Sequence, residues 1–163
     1  PPDSIDSNFN AANASLISKT DIPPENVYRI KGEIDPQMAA REYEDELASF
    51  FGLEAGASPP FDLALLGLGT DGHTLSLFPG TKALEEGDRL VVANHVPQIG
   101  SWRVTLTLKA LREARLAVFL VSGNDKARAV SEALKGNGPP AARVKAKEIL
   151  WLLDAGAAEL PGA

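Results

Sequence analysis

The chain has 163 residues, of which 44% are hydrophobic and 23% charged, which is the size and composition of one globular domain with a single core. The formal net charge is −6 and no two Lys or Arg residues are adjacent, so binding to nucleic acid is disfavoured. The chain has no cysteine, which excludes disulfides and thiolate catalysis, and no apolar run approaches the ~20 residues of a membrane helix. We expect a cytoplasmic protein with neither nucleic acid nor membrane as its partner.

The first residues resemble the middle of a loop. They contain no initiator methionine and read Pro1-Pro2-Asp3-Ser4, so we expect that the chain begins inside a larger protein. Ser7 or Asn8 can cap a short helix, which the Pro23-Pro24 pair then ends. A short apolar run over residues 27–30 predicts a strand.

The clearest helix in the sequence lies between two strong boundary signals. Asp35 is a suitable N-cap, Pro36 occupies the first helical position, and Gly52 follows the last. The apolar residues between them recur at helical spacing and predict the inward face of the helix. These residues are Ala40, Tyr43, Leu47, Phe50 and Phe51.

Strand patterns and helix patterns alternate through the rest of the chain. Two apolar runs, residues 62–66 and 116–121, have strand length and are expected to be buried on both faces. Further elements are predicted at four places: strands over residues 90–93, 103–108 and 149–153, and a helix over 126–134. This alternation predicts an α/β fold with a mostly parallel twisted sheet, helices on both faces, and ligands at the carboxyl ends of the strands.

The glycines after the first apolar run have two possible meanings. Gly67, Gly69 and Gly72 satisfy the dinucleotide-binding pattern G-x-G-x-x-G. However, only about six residues separate the motif from Pro79, too few for the crossover helix of such a unit. Residues 90–94 also lack the acidic residue that would hold a ribose. The pattern favours an active-site loop instead.

Asp71 and His73 stand two residues apart in this loop. Histidine is the usual general base near neutral pH, provided that a partner fixes its tautomer. The alternative is that His73 sits in a short helix capped by Asp71, with no chemical role. His95 follows no acidic neighbour and is expected to be a surface residue. Two isolated histidines without clustered carboxylates predict no metal site.

Two cations could hold an anionic group. Lys126 lies in the first turn of a helix that follows a strand and a Gly-containing loop, where free backbone N–H groups and the helix dipole favour a phosphate. Arg103 shares one strand face with Thr105 and Thr107 and could supply a planar fork to the same phosphate. The alternative is that both are solvated surface cations.

Several motifs together resemble one known family. The run Gly67-Leu-Gly-Thr-Asp-Gly-His-Thr-Leu-Ser-Leu-Phe-Pro-Gly80 resembles the signature loop of the 6-phosphogluconolactonases. Other stretches resemble the same family in the same order, and the match covers essentially the whole chain. They are Asp6-Ser-Asn-Phe-Asn10, Arg103-Val-Thr-Leu-Thr107, Val121-Ser-Gly-Asn-Asp-Lys126 and Trp151-Leu-Leu-Asp-Ala155.

The resemblance implies a three-layer αβα domain of the glucosamine-6-phosphate deaminase and ribose-5-phosphate isomerase fold group. Family members are longer, begin with a strand and a Gly-Gly-Ser phosphate loop, and reach an Asp-Glu-Arg segment just before the position of Pro1. This chain has neither motif. Residues 1–163 are therefore expected to form one lactonase-like domain that is incomplete at its N-terminus.

The resemblance also implies an activity: hydrolysis of 6-phospho-D-glucono-1,5-lactone in the oxidative pentose phosphate pathway, without a cofactor. In that reaction His73 and Asp71 would be catalytic, and the substrate would contact Gly67, Gly69, Gly72, Arg103 and Lys126. One alternative is a sugar-phosphate deaminase or isomerase of the same fold group. Deaminases carry an Asn-Glu-Pro type continuation where this chain has Leu-Phe-Pro-Gly. Another alternative is a fragment that binds a ligand without catalysis.

Overall fold

The fold combines a parallel sheet with a separate antiparallel hairpin. In the computed structural model, residues 1–136 and 138–159 are described. The helices are α1 (Asn8–Ser15), α2 (Pro36–Phe51), α3 (Ala127–Leu134) and α4 (Ala155–Ala158). The strands are β1 (Leu63–Leu66), β2 (Val91–Val96), β3 (Ser101–Leu106), β4 (Leu116–Val121) and β5 (Glu148–Leu153). None of the described helices is long and apolar enough to cross a membrane.

The parallel sheet has the strand order β1-β4-β5. In its register Leu66 lies opposite Phe119, and Phe119 lies opposite Trp151. The rings of Phe119 and Trp151 are stacked, with their centroids 4.0 Å apart. This side of the sheet, the covered face, packs against α3 and α4 and forms the main core of the molecule. That core includes Leu66, Ala117, Phe119, Val121, Val130 and Ala157. The predicted α/β class is confirmed.

The opposite side of the same sheet, the open face, is apolar but accessible. Five leucines on it are between 44% and 56% exposed, namely Leu63, Leu65, Leu120, Leu150 and Leu152. Only Val118, in the middle of the central strand, is buried there. The prediction that the strands over residues 62–66 and 116–121 are buried on both faces is therefore wrong, because no described helix packs on the open face, where Leu120 is also half-exposed.

The hairpin of β2 and β3 forms the second sheet and is covered by α2. The predicted helix is confirmed: the Asp35 carboxylate accepts hydrogen bonds from the N–H groups of Gln37 and Met38, and Gly52 ends the helix with φ of 60°. On this helix the Glu44 carboxylate accepts from the Leu90 N–H and so holds α2 against the start of β2. The sequence predicted both strands but not their antiparallel pairing in a sheet of their own.

The N-terminal segment has little packing of its own. Ser7 caps α1 by accepting a hydrogen bond from the Asn10 N–H at 3.1 Å, as predicted, but α1 has no buried residue. The predicted strand over residues 27–30 is wrong, because these residues have no pairing strand among those described. An apolar run of strand length forms a strand only when a neighbouring strand pairs with its backbone.

Candidate active site

The His73 loop, residues 67–80, leaves β1 at the carboxyl end of the parallel sheet. Its conformation is fixed by its own hydrogen bonds: Thr74 Oγ1 donates to the Gly67 carbonyl at 2.8 Å, and the Gly69 N–H donates to the His73 carbonyl at 2.8 Å. Thr74 and Leu77 are fully buried. The loop consists of turns, so the alternative in which His73 sits in a short helix is wrong.

Asp71 and His73 form a hydrogen-bonded pair. One carboxylate oxygen of Asp71, Oδ1, lies 2.6 Å from His73 Nδ1 and accepts from the His73 backbone N–H at 3.1 Å. The imidazole stacks on the Phe78 ring at a centroid distance of 3.9 Å. A carboxylate at Nδ1 assigns the ring proton to that nitrogen. The lone pair of Nε2 is then directed away from Asp71 and can accept a proton.

The ionisation of Asp71 suits this role. Its burial raises the pKa, but the hydrogen bonds from the His73 N–H and ring, with the attraction between the two groups, outweigh that effect and lower the pKa below its usual value. Asp71 therefore remains a carboxylate at neutral pH, and its negative charge strengthens the hydrogen bonds from Nδ1 and the backbone N–H.

Two of the loop glycines are required by close approach. A Cβ at Gly69 would lie 2.1 Å from His73 Nδ1, and a Cβ at Gly72 would lie 2.3 Å from Pro139 Cβ. Gly72 also has φ of 77°, which favours glycine. The N–H groups of both residues are engaged inside the loop, by the carbonyls of His73 and Gly69 respectively. These glycines shape the loop around the imidazole.

The hairpin holds the far side of the His73 loop. Thr105 Oγ1 accepts from the Ser76 N–H at 3.1 Å, and Asn94 Nδ2 donates to the Ser76 carbonyl at 2.8 Å and to Thr81 Oγ1 at 3.1 Å. Asn94 and Thr105 are buried. Sequence reasoning missed Asn94, although an amide inside an apolar strand is a signal that it has a buried partner.

Arg103 lies on the same face of the hairpin, directly opposite Asn94 in the register. Its guanidinium donates to Ser101 Oγ at 2.8 Å and to the Trp102 carbonyl at 3.1 Å. It lines a cleft of about 800 Å³ that β3 forms with the N-terminal segment, including Asn8 and Arg29. Neither His73 nor Lys126 is among the described residues that line this cleft.

The Lys126 loop, residues 122–126, joins β4 to α3. Because β4 is the parallel neighbour of β1, this loop and the His73 loop leave the sheet at the same edge. Lys126 Nζ lies 3.5 Å from the Asp125 carboxylate. The sequence predicted free backbone N–H groups for an anion in this region, but the Gly123 N–H donates to both carboxylate oxygens of Asp154 at 3.1 Å. Sequence reasoning missed Asp154 as a partner of this loop.

The predicted site residues thus separate into three groups. Asp71 and His73 are in direct contact, Lys126 lies at the next strand end, and Arg103 faces the cleft beside the hairpin. His95 lies in β2 and is exposed, edge-on to Trp102 at 5.3 Å. Among residues 1–136 and 138–159, no three His, Asp or Glu side chains lie close enough together to hold a metal ion.

Sequence comparisons place these features in a family context. The family described as glucosamine-6-phosphate isomerases/6-phosphogluconolactonase matches residues 1–151. A 6-phosphogluconolactonase from Synechocystis is 42% identical over 96% of this chain and 67% of its own length. The human 6-phosphogluconolactonase is 36% identical over 98% of this chain and 64% of its own length. The chain spans half of the Arabidopsis chloroplastic relative, 6-phosphogluconolactonase 3, which is 40% identical.

Solved structures agree with the sequence comparisons. The crystal structure of the devB protein is 38% identical and superposes with a TM-score of 0.86, covering 96% of this chain and 68% of that one. A 6-phosphogluconolactonase from Thermotoga maritima is 34% identical, with a TM-score of 0.81 over 94% of this chain and 67% of that one. A monomeric glucosamine-6-phosphate deaminase, 22% identical with a TM-score of 0.76, shares the fold.

Proposed function

The chain belongs to the family of glucosamine-6-phosphate isomerases and 6-phosphogluconolactonases, and from this we propose that it hydrolyses 6-phospho-D-glucono-1,5-lactone to 6-phospho-D-gluconate. The single observation that carries the proposal is the Asp71–His73 pair at the carboxyl end of β1. A histidine held in one tautomer by a carboxylate is the group that water activation requires.

The reaction divides into two steps. His73 Nε2 takes a proton from a water molecule as the oxygen of that water attacks the lactone carbonyl carbon, which gives a tetrahedral intermediate. The intermediate collapses as the ring C–O bond breaks, and the leaving ring oxygen receives the proton from His73. Asp71 keeps the imidazole oriented and stabilises its protonated form. A lactone is an activated ester, so neither a covalent nucleophile nor a cofactor is required.

The remaining predicted residues would bind the substrate. Lys126 is proposed to contact the phosphate from the strand end next to His73. Arg103 would contribute by turning from Ser101 toward the same phosphate, in the manner of a planar fork. Gly67, Gly69 and Gly72 would line the reacting end, and of these Gly69 and Gly72 act through the close approach of their backbone, since their N–H groups are already bonded.

The proposal extends to the setting of the reaction. Residues 1–163 would act as one α/β domain, with the sugar-phosphate lactone as its small-molecule partner, in the cytoplasm. The longer relatives carry further sequence, about a third of their length. A fluorescent fusion would test the location, and the alternative compartment to examine is the plastid of the Arabidopsis relative.

The test is a direct assay of lactone hydrolysis, measured as acid release above the spontaneous rate. Replacing His73 by Asn should lower kcat about 10²–10⁴-fold, the usual contribution of a general base. Replacing His95 by Asn is the matched control, because this exposed histidine lies outside the His73 loop, and it should leave kcat unchanged. Turnover by His73→Asn equal to the unmodified chain would refute the assignment.

The same preparations separate the other functions. Release of ammonia from glucosamine 6-phosphate at a rate comparable to lactone hydrolysis would identify a deaminase. A folded chain that hydrolyses no lactone above the spontaneous rate, yet binds 6-phosphogluconate, would be a binding module without catalysis.

A further inference from the structure

We infer that Asp154 is a positioning residue for the Lys126 loop, holding it in the shape that presents Lys126 to an anionic group of the substrate. This rests on the proposed function of Lys126. Asp154 lies after β5, more than 25 residues along the chain from Lys126, and neither the sequence motifs nor the comparisons assign it a role.

The contacts of Asp154 span the loop and the turn beside it. Its carboxylate accepts from Ser122 Oγ at 2.5 Å and from the Gly123 N–H at 3.1 Å, both in the Lys126 loop. It also accepts from the Ala157 N–H at 2.8 Å and so caps α4. The Asp154 N–H donates to the Val121 carbonyl at 3.2 Å. One residue thus fixes both the side chain and the backbone at the start of the loop.

A second contact between the two segments joins Gly156 to Asn124 of the Lys126 loop. A Cβ at Gly156 would lie 2.0 Å from Asn124 Oδ1 and 3.1 Å from the Asn124 backbone nitrogen. The turn between β5 and α4 therefore fits directly against the middle of the Lys126 loop. Gly123 has φ of 102°, a backbone conformation that favours glycine.

The charge of Asp154 distinguishes positioning from simple electrostatics. A carboxylate beside a phosphate site repels the phosphate, so neutralising it without any other change should tighten binding. The hydrogen bonds from Ser122, Ala157 and Gly123 lower the pKa of Asp154, and the group is ionised at neutral pH. Positioning predicts weaker phosphate binding after neutralisation, and repulsion predicts stronger binding. The two effects have opposite signs.

The experiment compares Asp154→Asn with Asp125→Asn. Asparagine is also a good N-cap, so α4 is retained, and both variants remove one negative charge from the same junction. The Asp125 carboxylate lies 3.5 Å from Lys126 Nζ, and no hydrogen bond from its side chain to the backbone is seen in the described part of the loop. We expect Asp154→Asn to raise KM for the phosphorylated lactone about tenfold with kcat nearly unchanged, and Asp125→Asn to leave KM equal or lower. For unphosphorylated gluconolactone, KM should not change in either variant.

Two further measurements keep the test decisive. Amide hydrogen exchange over residues 122–127 should be about tenfold faster in Asp154→Asn, and Ser122→Ala, which removes one contact only, should raise KM about twofold. An active wild-type chain with unchanged or lower KM and unchanged exchange in Asp154→Asn overturns the positioning role. A wild-type chain without lactone turnover overturns the proposed function instead. In that case the positioning role of Asp154 is tested by the amide exchange rate and by the Kd for 6-phosphogluconate in the wild-type chain and in Asp154→Asn.

Discussion

The two loops at the carboxyl edge of the parallel sheet differ in what holds their functional residue in place. The part of the His73 loop that carries the histidine is closed by the loop's own hydrogen bonds, from Thr74 Oγ1 and the Gly69 N–H to loop carbonyls, and the hairpin holds the part that follows, at Ser76 and beyond. The Lys126 loop is stabilised from outside, through the Asp154 carboxylate of the next strand end. The difference teaches that a loop that positions a histidine for proton transfer needs a more exact geometry than a loop that holds a lysine near a phosphate.

A group that moves a proton must be held within a few tenths of an ångström, and hydrogen bonds within its own turn supply that precision. A cation that binds a remote phosphate acts over a longer distance and tolerates a support on another element. Changes in the His73 loop should therefore lower kcat, whereas changes in or beside the Lys126 loop should raise KM. Three substitutions test this division, and a fourth tests the support of the Lys126 loop through its stability.

Replacing Asp71 by Asn should have the largest effect. The amide oxygen can keep both hydrogen bonds that Asp71 Oδ1 accepts, but the negative charge that stabilises the protonated imidazole is lost, so proton transfer to Nε2 is disfavoured. We expect kcat to fall about 10²–10⁴-fold, with little change in KM, measured by steady-state kinetics on the phosphorylated lactone. A loss confined to KM would show that Asp71 contacts substrate directly.

Replacing Gly69 by Ala should come next. The new Cβ would lie 2.1 Å from His73 Nδ1 and 2.6 Å from the Asp71 carboxylate, so the imidazole must move. A displacement of about 1 Å can cost about 100-fold in kcat. Gly67→Ala is the matched comparison, since no protein atom lies within 4 Å of its Cβ position; the imidazole stays in place, so we expect kcat to be retained and any loss to appear in KM, because Gly67 would line the substrate. Equal losses in both variants would mean that the loop as a whole has been disturbed.

Replacing Lys126 by Ala should raise KM for the phosphorylated lactone about 10–100-fold, because hydrogen bonds to charged groups contribute ~1.5–3 kcal/mol. The contact is the same in the ground and transition states, so kcat should change little. The effect should vanish for unphosphorylated gluconolactone. Losses on both substrates would assign Lys126 to the fold or to the reacting carbonyl.

The smallest effect concerns acid stability. The folded pKa of Asp154 is lowered from the model-compound value of 3.8, so its contribution to the free energy of unfolding is present above about pH 4 and is lost as pH falls through the folded pKa. The Tm difference between wild type and Asp154→Asn should therefore be largest near pH 7 and narrow toward pH 3. A difference independent of pH would show that the hydrogen bonds of Asp154 do not depend on its charge.

The sequence was most informative where signals are local. The cap at Asp35 and the stop at Gly52 depend on residues a few positions apart, and both are confirmed; Asp71 and His73, which the sequence also places two residues apart, lie in direct contact. Contacts between distant residues were out of reach. Nothing local relates Asp154 to Gly123, or Asn94 to Ser76, because those contacts follow from which strands are neighbours.

The misjudged strands have the same explanation. Residues 27–30 have the composition of a strand but no described partner, and β1 has the apolar run of a doubly buried strand but one accessible side. Periodicity reports what a segment is able to bury. It does not report whether another element is there to bury it.

The open face governs how copies of the chain behave at high concentration. Five half-exposed leucines form one apolar surface, while the net charge of −6 keeps molecules apart through repulsion that added salt screens within about 10 Å at 0.1 M. Salts such as sulfate also strengthen apolar attraction. The net interaction between copies of the chain should therefore turn from repulsive to attractive as ionic strength rises. The chain should stay in solution in dilute salt and precipitate in concentrated sulfate.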